Sequence, residues 1–261
     1  MATYKKRGHK PKVKPVKELV DELEGAEDST TAEVFATLDE KANRTEEWVE
    51  KNQKAILGVV IGVLVLALAY LAYTRLIAEP NEKEAANELT LAQESFTTAL
   101  ETTNTSVKDS LFMVALEGKN GKYGLLDIAS NYGSTKAGNL ANYYAGMSYL
   151  EIKDYGKAIS HLEDFSSDDM MLAPLAKGAI GDAFVQLGQP EDALGYYEKA
   201  TALSSNDFTT PRFLFKAGVT AIDLGQYDKA VNYLTRIKDE FSQSDYNKQV
   251  DLYLGKAQAA K

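Results

Sequence analysis

A run of nineteen uncharged residues, from Ala55 to Tyr73, constrains the fold of this chain more than any other feature. Eleven of its positions are Leu, Ile or Val, and Lys54 and Arg75 bound it. As an α-helix the run rises about 28 Å, which is close to the thickness of the hydrocarbon core of a bilayer. Soluble helices rarely stay apolar on every face over this length. The sequence therefore predicts a transmembrane helix over residues 55–77.

The charges on either side of this run predict its orientation. Too many residues precede it for a cleaved signal peptide, so we expect an uncleaved anchor. Basic residues are more frequent before the run than after it, and the positive-inside rule then places the N-terminus in the cytoplasm. The sequence has no cysteine, which fits a periplasmic domain that folds without disulfides. We expect a single-pass protein of a bacterial inner membrane with a periplasmic C-terminal domain.

The N-terminal region changes sign along its length. Residues 1–17 carry seven basic groups and no acid, whereas residues 18–54 and the part after the run are both acidic. We expect residues 1–30 to be a disordered cytoplasmic tail, first basic and then acidic. The basic part either contacts ribosomal RNA or anionic lipid, or only reinforces the topology. An acidic exported domain is a poor candidate for binding DNA.

Two features point to contacts in or near the membrane. Residues 31–54 have an apolar stripe at helical spacing, which predicts an amphipathic juxtamembrane helix that lies on the membrane or against a partner. Inside the apolar run, Gly58 and Gly62 form a G-x-x-x-G pair. Small residues at this spacing allow a second helix to approach closely, so both are candidates for transmembrane helix packing.

Beyond Pro80 the pattern is that of soluble helices. We expect residues 78–138 to form the N-terminal helices of the exported domain, beginning with an amphipathic helix over 82–101. The predicted apolar stripe of that helix consists of Ala86, Leu89, Ala92, Phe96 and Leu100.

Residues 139–261 repeat a pattern of small and large residues. Gly146, Gly181 and Gly218 stand 35 and 37 residues apart, and Gly255 follows after another 37. Each of the first three glycines precedes an alanine and then a large residue at nearly constant offsets, which is the pattern of tetratricopeptide (TPR) repeats. The predicted fold is all-α: a single transmembrane helix followed by an α-solenoid of TPR hairpins that ends in a capping helix.

The sequence does not predict an enzyme. Its two histidines are His9, in the tail, and His161, which we expect to face solvent on a repeat helix. The pairs Asp168-Asp169 and Glu191-Asp192 have the positions of helix caps or first-turn residues. We expect no catalytic residue, no metal and no cofactor, and therefore a protein that acts by binding other proteins.

The inner wall of the solenoid is the predicted partner-binding surface. Aligning the repeats gives nine wall residues: Leu140, Tyr143, Met147, Leu150, Leu175, Val185, Phe215, Val219 and Ile222. The set is apolar, with Glu151, Asp182 and Asp223 as its polar neighbours, which favours an amphipathic helix or an extended apolar segment as ligand. The alternative is that residues 82–132 fold over this wall and make it core.

The architecture of residues 29–261 resembles the YfgM family of inner-membrane TPR proteins. The likeness is strongest over residues 127–165, where the runs DIASNYGSTKAGNLANYYAGMSYL and YGKAISHLEDF resemble the Bacteroidota branch. The resemblance implies an ancillary subunit of the SecYEG translocon that pairs with a PpiD-like periplasmic chaperone and meets newly secreted chains. Two other hypotheses stay open: a membrane-anchored signalling protein or anti-regulator that senses envelope stress, and a TPR scaffold of another envelope complex.

Overall fold

The computed structural model describes residues 30–261, and this range consists of helices, turns and loops without a strand. The predicted tail therefore lies outside the described residues, except for Thr30, and so does its contact with RNA or lipid. The α-helices of this range are α1 (Thr30–Tyr73), α2 (Glu79–Glu101), α3 (Thr105–Glu117), α4 (Leu125–Asn131), α5 (Lys136–Glu151), α6 (Tyr155–Asp164), α7 (Leu172–Gln186), α8 (Pro190–Leu203), α9 (Thr209–Asp223), α10 (Tyr227–Glu240) and α11 (Asn247–Ala259). The all-α prediction is confirmed.

Helix α1 contains the apolar run. By length and composition, residues 47–101 include one helix long and apolar enough to cross a membrane, and none of its most apolar window is buried. Compactness divides the chain into two units, Met1–Leu71 and Ala72–Lys261. The finer domain boundaries given above stay a prediction.

A short π-helical segment, Thr74–Ala78, lies between α1 and α2. Pro80, the second residue of α2, has no N–H to donate to the carbonyl of Leu76, and its ring would clash with that carbonyl in a regular α-helix. The N–H of Glu79 instead donates to the carbonyl of Thr74, five residues earlier. The wider turn is therefore the local response of the helix to the proline.

Helices α2, α3 and α4 pack with α5 around one apolar cluster. The buried face of α2 consists of Ala85, Leu89, Ala92, Phe96 and Ala99. The predicted stripe is therefore right in its centre and wrong at both ends, because Ala86 and Leu100 are exposed. Spacings of three and four residues fit either choice, and only the position of α5 decides between them.

The repeats form three helical hairpins, α5–α6, α7–α8 and α9–α10, followed by α11. Each hairpin turns at a residue with positive φ: Lys153 at 67°, Gly188 at 72° and Gly225 at 69°. In each turn the N–H of the next residue donates to a carbonyl five positions earlier, at 2.8 to 2.9 Å. This hydrogen bond is that of a Schellman motif, which ends the first helix of each hairpin.

Within each hairpin, the repeat glycine accepts a large side chain from the second helix. A Cβ added to Gly146 would lie 2.5 Å from Leu162 Cγ, and the corresponding positions of Gly181 and Gly218 meet Tyr197 and Leu234 at 2.6 and 2.9 Å. We expected these glycines to let the two backbones touch. In the structure their main role is instead to make room for a side chain.

Neighbouring hairpins are joined by tyrosine–carboxylate hydrogen bonds. The hydroxyl of Tyr196 on α8 donates to Glu163 Oε1 on α6 at 2.5 Å, and the hydroxyl of Tyr233 on α10 donates to Glu198 on α8. Burial, followed by the hydrogen bond to Glu163, raises the pKa of Tyr196 to about 12, and burial with the bond to Glu198 raises that of Tyr233 further. These tyrosines therefore remain donors throughout the physiological range of pH.

Candidate binding groove

The first helices of the three hairpins lie side by side and leave an open groove. Helix α5 contacts α7, and α7 contacts α9. The groove has a volume of about 460 Å³ and lies where α5 and α7 end. Its lining consists of Leu150, Glu151, Lys153, Tyr155, Asp182, Val185, Gln186, Tyr197 and Lys216.

Paired charges dominate the floor of the groove. Lys216 Nζ on α9 lies 2.5 and 2.6 Å from the two carboxylate oxygens of Asp182 on α7. The hydroxyl of Tyr197 donates to the same carboxylate at 2.7 Å, and burial followed by the charge of Asp182 raises the pKa of Tyr197. The three residues therefore tie α7, α8 and α9 together where a ligand would lie.

A second ion pair closes the other end. Lys108 Nζ on α3 lies 2.5 Å from Glu151 Oε2 at the end of α5. With Asp182 and Lys216, this makes the groove mixed in character, whereas the sequence indicated an apolar wall. Repeat alignment drew attention to the large apolar positions and not to Lys216, although Lys216 stands 34 residues after Asp182, about one repeat further on.

The structure brings two of the nine predicted wall residues to this groove, Leu150 and Val185. Val185 is 43% exposed, the highest value in the predicted set. Leu140, Tyr143 and Met147 pack in the cluster that joins the first two hairpins. Leu175 and Ile222 belong to the next cluster. That these residues bind a partner stays a prediction.

The remaining two wall residues lie near the C-terminal end. Phe215 packs against two rings, those of Tyr246 in the last loop and Tyr253 on α11, at centroid distances of 5.5 and 5.1 Å. Val219 is half-buried and does not line the groove. Helix α11 therefore covers the part of the wall that Phe215 was expected to present.

Helices α2 and α3 cover only the first hairpin. Gln93 Nε2 donates to Tyr144 Oη at 2.9 Å, and the rings of Phe96 and Tyr144 are 5.0 Å apart. Among the described residues, neither α2 nor α3 contacts α7 or α9. These helices extend the stack at its N-terminal end and leave the groove between α5, α7 and α9 open.

His161 is not solvent-facing as predicted. Its side chain is half-buried, its ring stacks on Tyr149 at 5.5 Å, and its Nδ1 lies 2.9 Å from Asn142 Oδ1. Burial lowers its pKa. The sequence could not show this, because both partners come from the facing helix α5.

The acidic pairs lie at helix starts. Asp169 Oδ1 accepts hydrogen bonds from the N–H groups of Met171 and Leu172, both at 2.8 Å, and the bond from Leu172, then that from Met171, holds the pKa of Asp169 below its usual range. Glu191 and Asp192 lie in the first turn of α8. The described part of the chain contains no group of three His, Cys, Asp or Glu residues that could hold a metal ion.

The glycine pair of the apolar run is open. A Cβ added to Gly58 or Gly62 would meet no atom within 4 Å among the described residues. Their role in transmembrane helix packing stays a prediction.

Comparison with known families identifies the hairpins. Residues 178–207, which cover most of α7 and α8, match a tetratricopeptide-repeat family profile, and residues 213–244, which cover most of α9 and α10, match a second one. A search of curated proteins found no match to the chain.

Proposed function

Because the C-terminal part of this chain is built of tetratricopeptide repeats, we propose that it is a membrane-anchored, non-enzymatic scaffold that holds protein partners in the groove between α5, α7 and α9. The observation that carries this proposal is the open groove, about 460 Å³ in volume, on a chain that also has one helix suited to a membrane. Successive hairpins of TPR domains characteristically form such concave binding surfaces.

We further propose that the anchor lies in a bacterial inner membrane, with the N-terminus in the cytoplasm and the repeats in the periplasm. The excess of Lys and Arg before the apolar run supports this orientation. Since the chain has no cysteine, single-cysteine variants have no background. We expect Ser205→Cys, at an exposed loop position, to react with a membrane-impermeant maleimide in intact spheroplasts, and Thr3→Cys only after lysis. The reverse pattern would overturn the orientation.

The partner that we propose is the protein-export machinery. The resemblance to the YfgM family supports an accessory role at the SecYEG translocon, in which the repeats bind a PpiD-like chaperone, newly secreted chains, or both. Extraction in a mild detergent should copurify translocon or chaperone components. If neither is recovered while the protein itself stays intact, this assignment is wrong.

A photo-crosslinking residue at Val185 tests the groove itself. Val185 lines the groove and is 43% exposed, whereas Tyr143 is only 9% exposed and would report on the core. Leu252 on α11 is 62% exposed, does not line the groove and is the matched control. We expect a defined crosslinked product in living cells from Val185 and not from Leu252. Equal labelling from both positions would argue against the groove.

Deleting residues 1–30 separates this proposal from the signalling hypothesis. A translocon accessory protein without its tail keeps the repeats and the anchor, so the groove crosslink from Val185 should persist. Unchanged export together with a lost transcriptional response to envelope stress would instead favour the membrane-anchored regulator.

A further inference from the structure

The three loops that follow α6, α8 and α10 share one residue order. Residues 165–170, 203–208 and 241–246 read FSSDDM, LSSNDF and FSQSDY, and each begins 38 residues after the previous one. All three start with an apolar residue followed by Ser, and end with Asp followed by a large apolar or aromatic residue. The repeat therefore extends into the loops.

The last position of this loop is packed in one copy and free in the other two. Tyr246 is half-buried, with its ring 5.5 Å from that of Phe215. Met170 and Phe208, at the equivalent positions, are 69% and 61% exposed. The loop design is therefore compatible with burying this side chain, and its exposure in the first two loops needs another explanation.

The first two loops are also held together. The carbonyl oxygen of Met170 accepts hydrogen bonds from Ser204 Oγ at 2.9 Å and from Asn206 Nδ2 at 3.1 Å. Leu203, which is 51% exposed, borders a depression of about 230 Å³ beside residues 165–167 and α7. Met170, Leu203 and Phe208 thus form one apolar patch on fixed loops, which we call the loop edge.

Acidic groups surround this patch. Asp168, Asp169 and Asp207 are exposed, and none pairs with a described lysine or arginine. Asp169 is held by two backbone N–H groups, which favour its charged form. The nearest cation in the depression is Lys177, so acidic groups outnumber basic ones at the loop edge.

We propose that the loop edge is a second docking surface, separate from the groove, for a partner polypeptide in which large apolar side chains alternate with Lys or Arg. The apolar side chains of the partner cover Met170, Leu203 and Phe208, and its cations pair with the aspartates. An anionic lipid surface is disfavoured because the aspartates would repel it. A second copy is disfavoured as well, because it would bring the same acidic edge against itself.

The test uses the full chain in nanodiscs and short fluorescent peptides in which Leu and Phe alternate with Lys, Glu or Gln. We expect the Lys peptide to bind, with an affinity that falls as salt is raised, and the Glu peptide not to bind. Met170→Ser with Phe208→Ser should weaken binding by at least about tenfold, since exposed anchors dominate such interfaces. Leu252→Ser, which removes an equally exposed apolar side chain from α11, should leave binding unchanged.

The charge requirement has its own variants. Asp168→Asn, Asp169→Asn and Asp207→Asn together should reduce binding of the Lys peptide and its dependence on salt, while Asn at position 169 preserves the helix cap. Asp109→Asn, at an exposed position on α3, is the control. Equal binding of the Lys and Glu peptides, or unchanged binding by the Met170/Phe208 variant, would overturn the proposal.

A photo-crosslinking residue at Phe208 distinguishes the possible occupants. We expect it to label the Lys peptide in the nanodisc sample. Products with lipid or with a second copy of the chain, and none with the peptide, would show that another surface covers the loop edge. Because these readouts involve neither the translocon nor the groove, they can fail while the proposed function stands, and the converse also holds.

Discussion

At the scale of single residues, glycines set how closely the helices approach. Gly178 on α7 has no side chain where the ring of Phe213 on α9 comes closest, and an added Cβ would lie 1.9 Å from Phe213 Cε1. Gly195 on α8 is also helical, but an added Cβ there would meet nothing within 4 Å. The two glycines have the same local structure and differ only in their surroundings.

Gly178→Ala should therefore destabilise the repeats, and Gly195→Ala should not. We expect a loss of about 1–3 kcal/mol for the first, because Phe213 must move, and a gain of about 0.5–1 kcal/mol for the second, because alanine favours the helix. Thermal unfolding of the detergent-solubilised chain, followed by circular dichroism, measures both. If both variants lose stability equally, the contact with Phe213 does not explain the effect.

The hairpin turns make a second prediction at this scale. Lys153 adopts the left-handed conformation that Gly188 and Gly225 adopt in the other two hairpins. Since this conformation costs a residue with a Cβ about 1–2 kcal/mol, Lys153→Gly should stabilise the chain, less the greater chain entropy of glycine. Gly225→Lys should destabilise it by about the same amount. Unfolding midpoints in urea compare the two changes, and a loss of stability in Lys153→Gly would contradict this account.

At the scale of elements, the hairpins could be predicted because their small residues recur. The spacing of Gly146, Gly181 and Gly218 placed the helix pairs, and the family matches cover two of them. The sequence did not show which side chain fills each glycine notch, since this depends on the facing helix. It also did not show the π-helical turn before Pro80, because a proline at a helix start usually requires no distortion.

The bonds between second helices make a prediction about elements. Tyr233→Phe removes the hydroxyl that donates to Glu198 and joins α10 to α8. Glu198 is partly exposed and also pairs with Lys229, so we expect a loss of only about 1 kcal/mol. Tyr227→Phe, at the first residue of α10, is the control. Thermal unfolding should separate the two variants, and equal midpoints would mean that the tyrosine–carboxylate bond contributes nothing.

At the scale of the whole molecule, alkaline pH should weaken the repeats. Tyr196 has a folded pKa of about 12, raised from an unfolded value of 10.0, so the unfolded chain loses the proton first as pH rises. Its contribution to stability is therefore complete below pH 10 and is lost as pH rises towards about 12. Buried Tyr197 and Tyr233 act in the same direction.

Urea unfolding at several pH values, with tyrosinate absorbance as a second signal, measures this loss. Tyr196→Phe should show a shallower decline of the free energy of unfolding above pH 10 than the unchanged chain. A variant that declines as steeply would show that Tyr196 does not contribute.

The candidate groove could be predicted only in part. Its place on the first helices of the hairpins followed from the repeat pattern, and Leu150 and Val185 line it. Its charges could not be predicted, because Asp182 and Lys216 belong to different repeats and meet only when α7 and α9 pack. Phe215 was expected on the open wall, but α11 and the loop before it cover its ring.

In residues 72–261, each hairpin contacts only the elements next to it in the stack. A chain built in this way has no long-range clasp, so tension applied at Lys261 would be borne by α11 and then by one hairpin at a time. Under load the domain would lengthen in steps, each releasing one helical pair while those nearer the anchor keep their form. A partner that pulls on the free end would therefore meet a series of small resistances rather than a single breaking point.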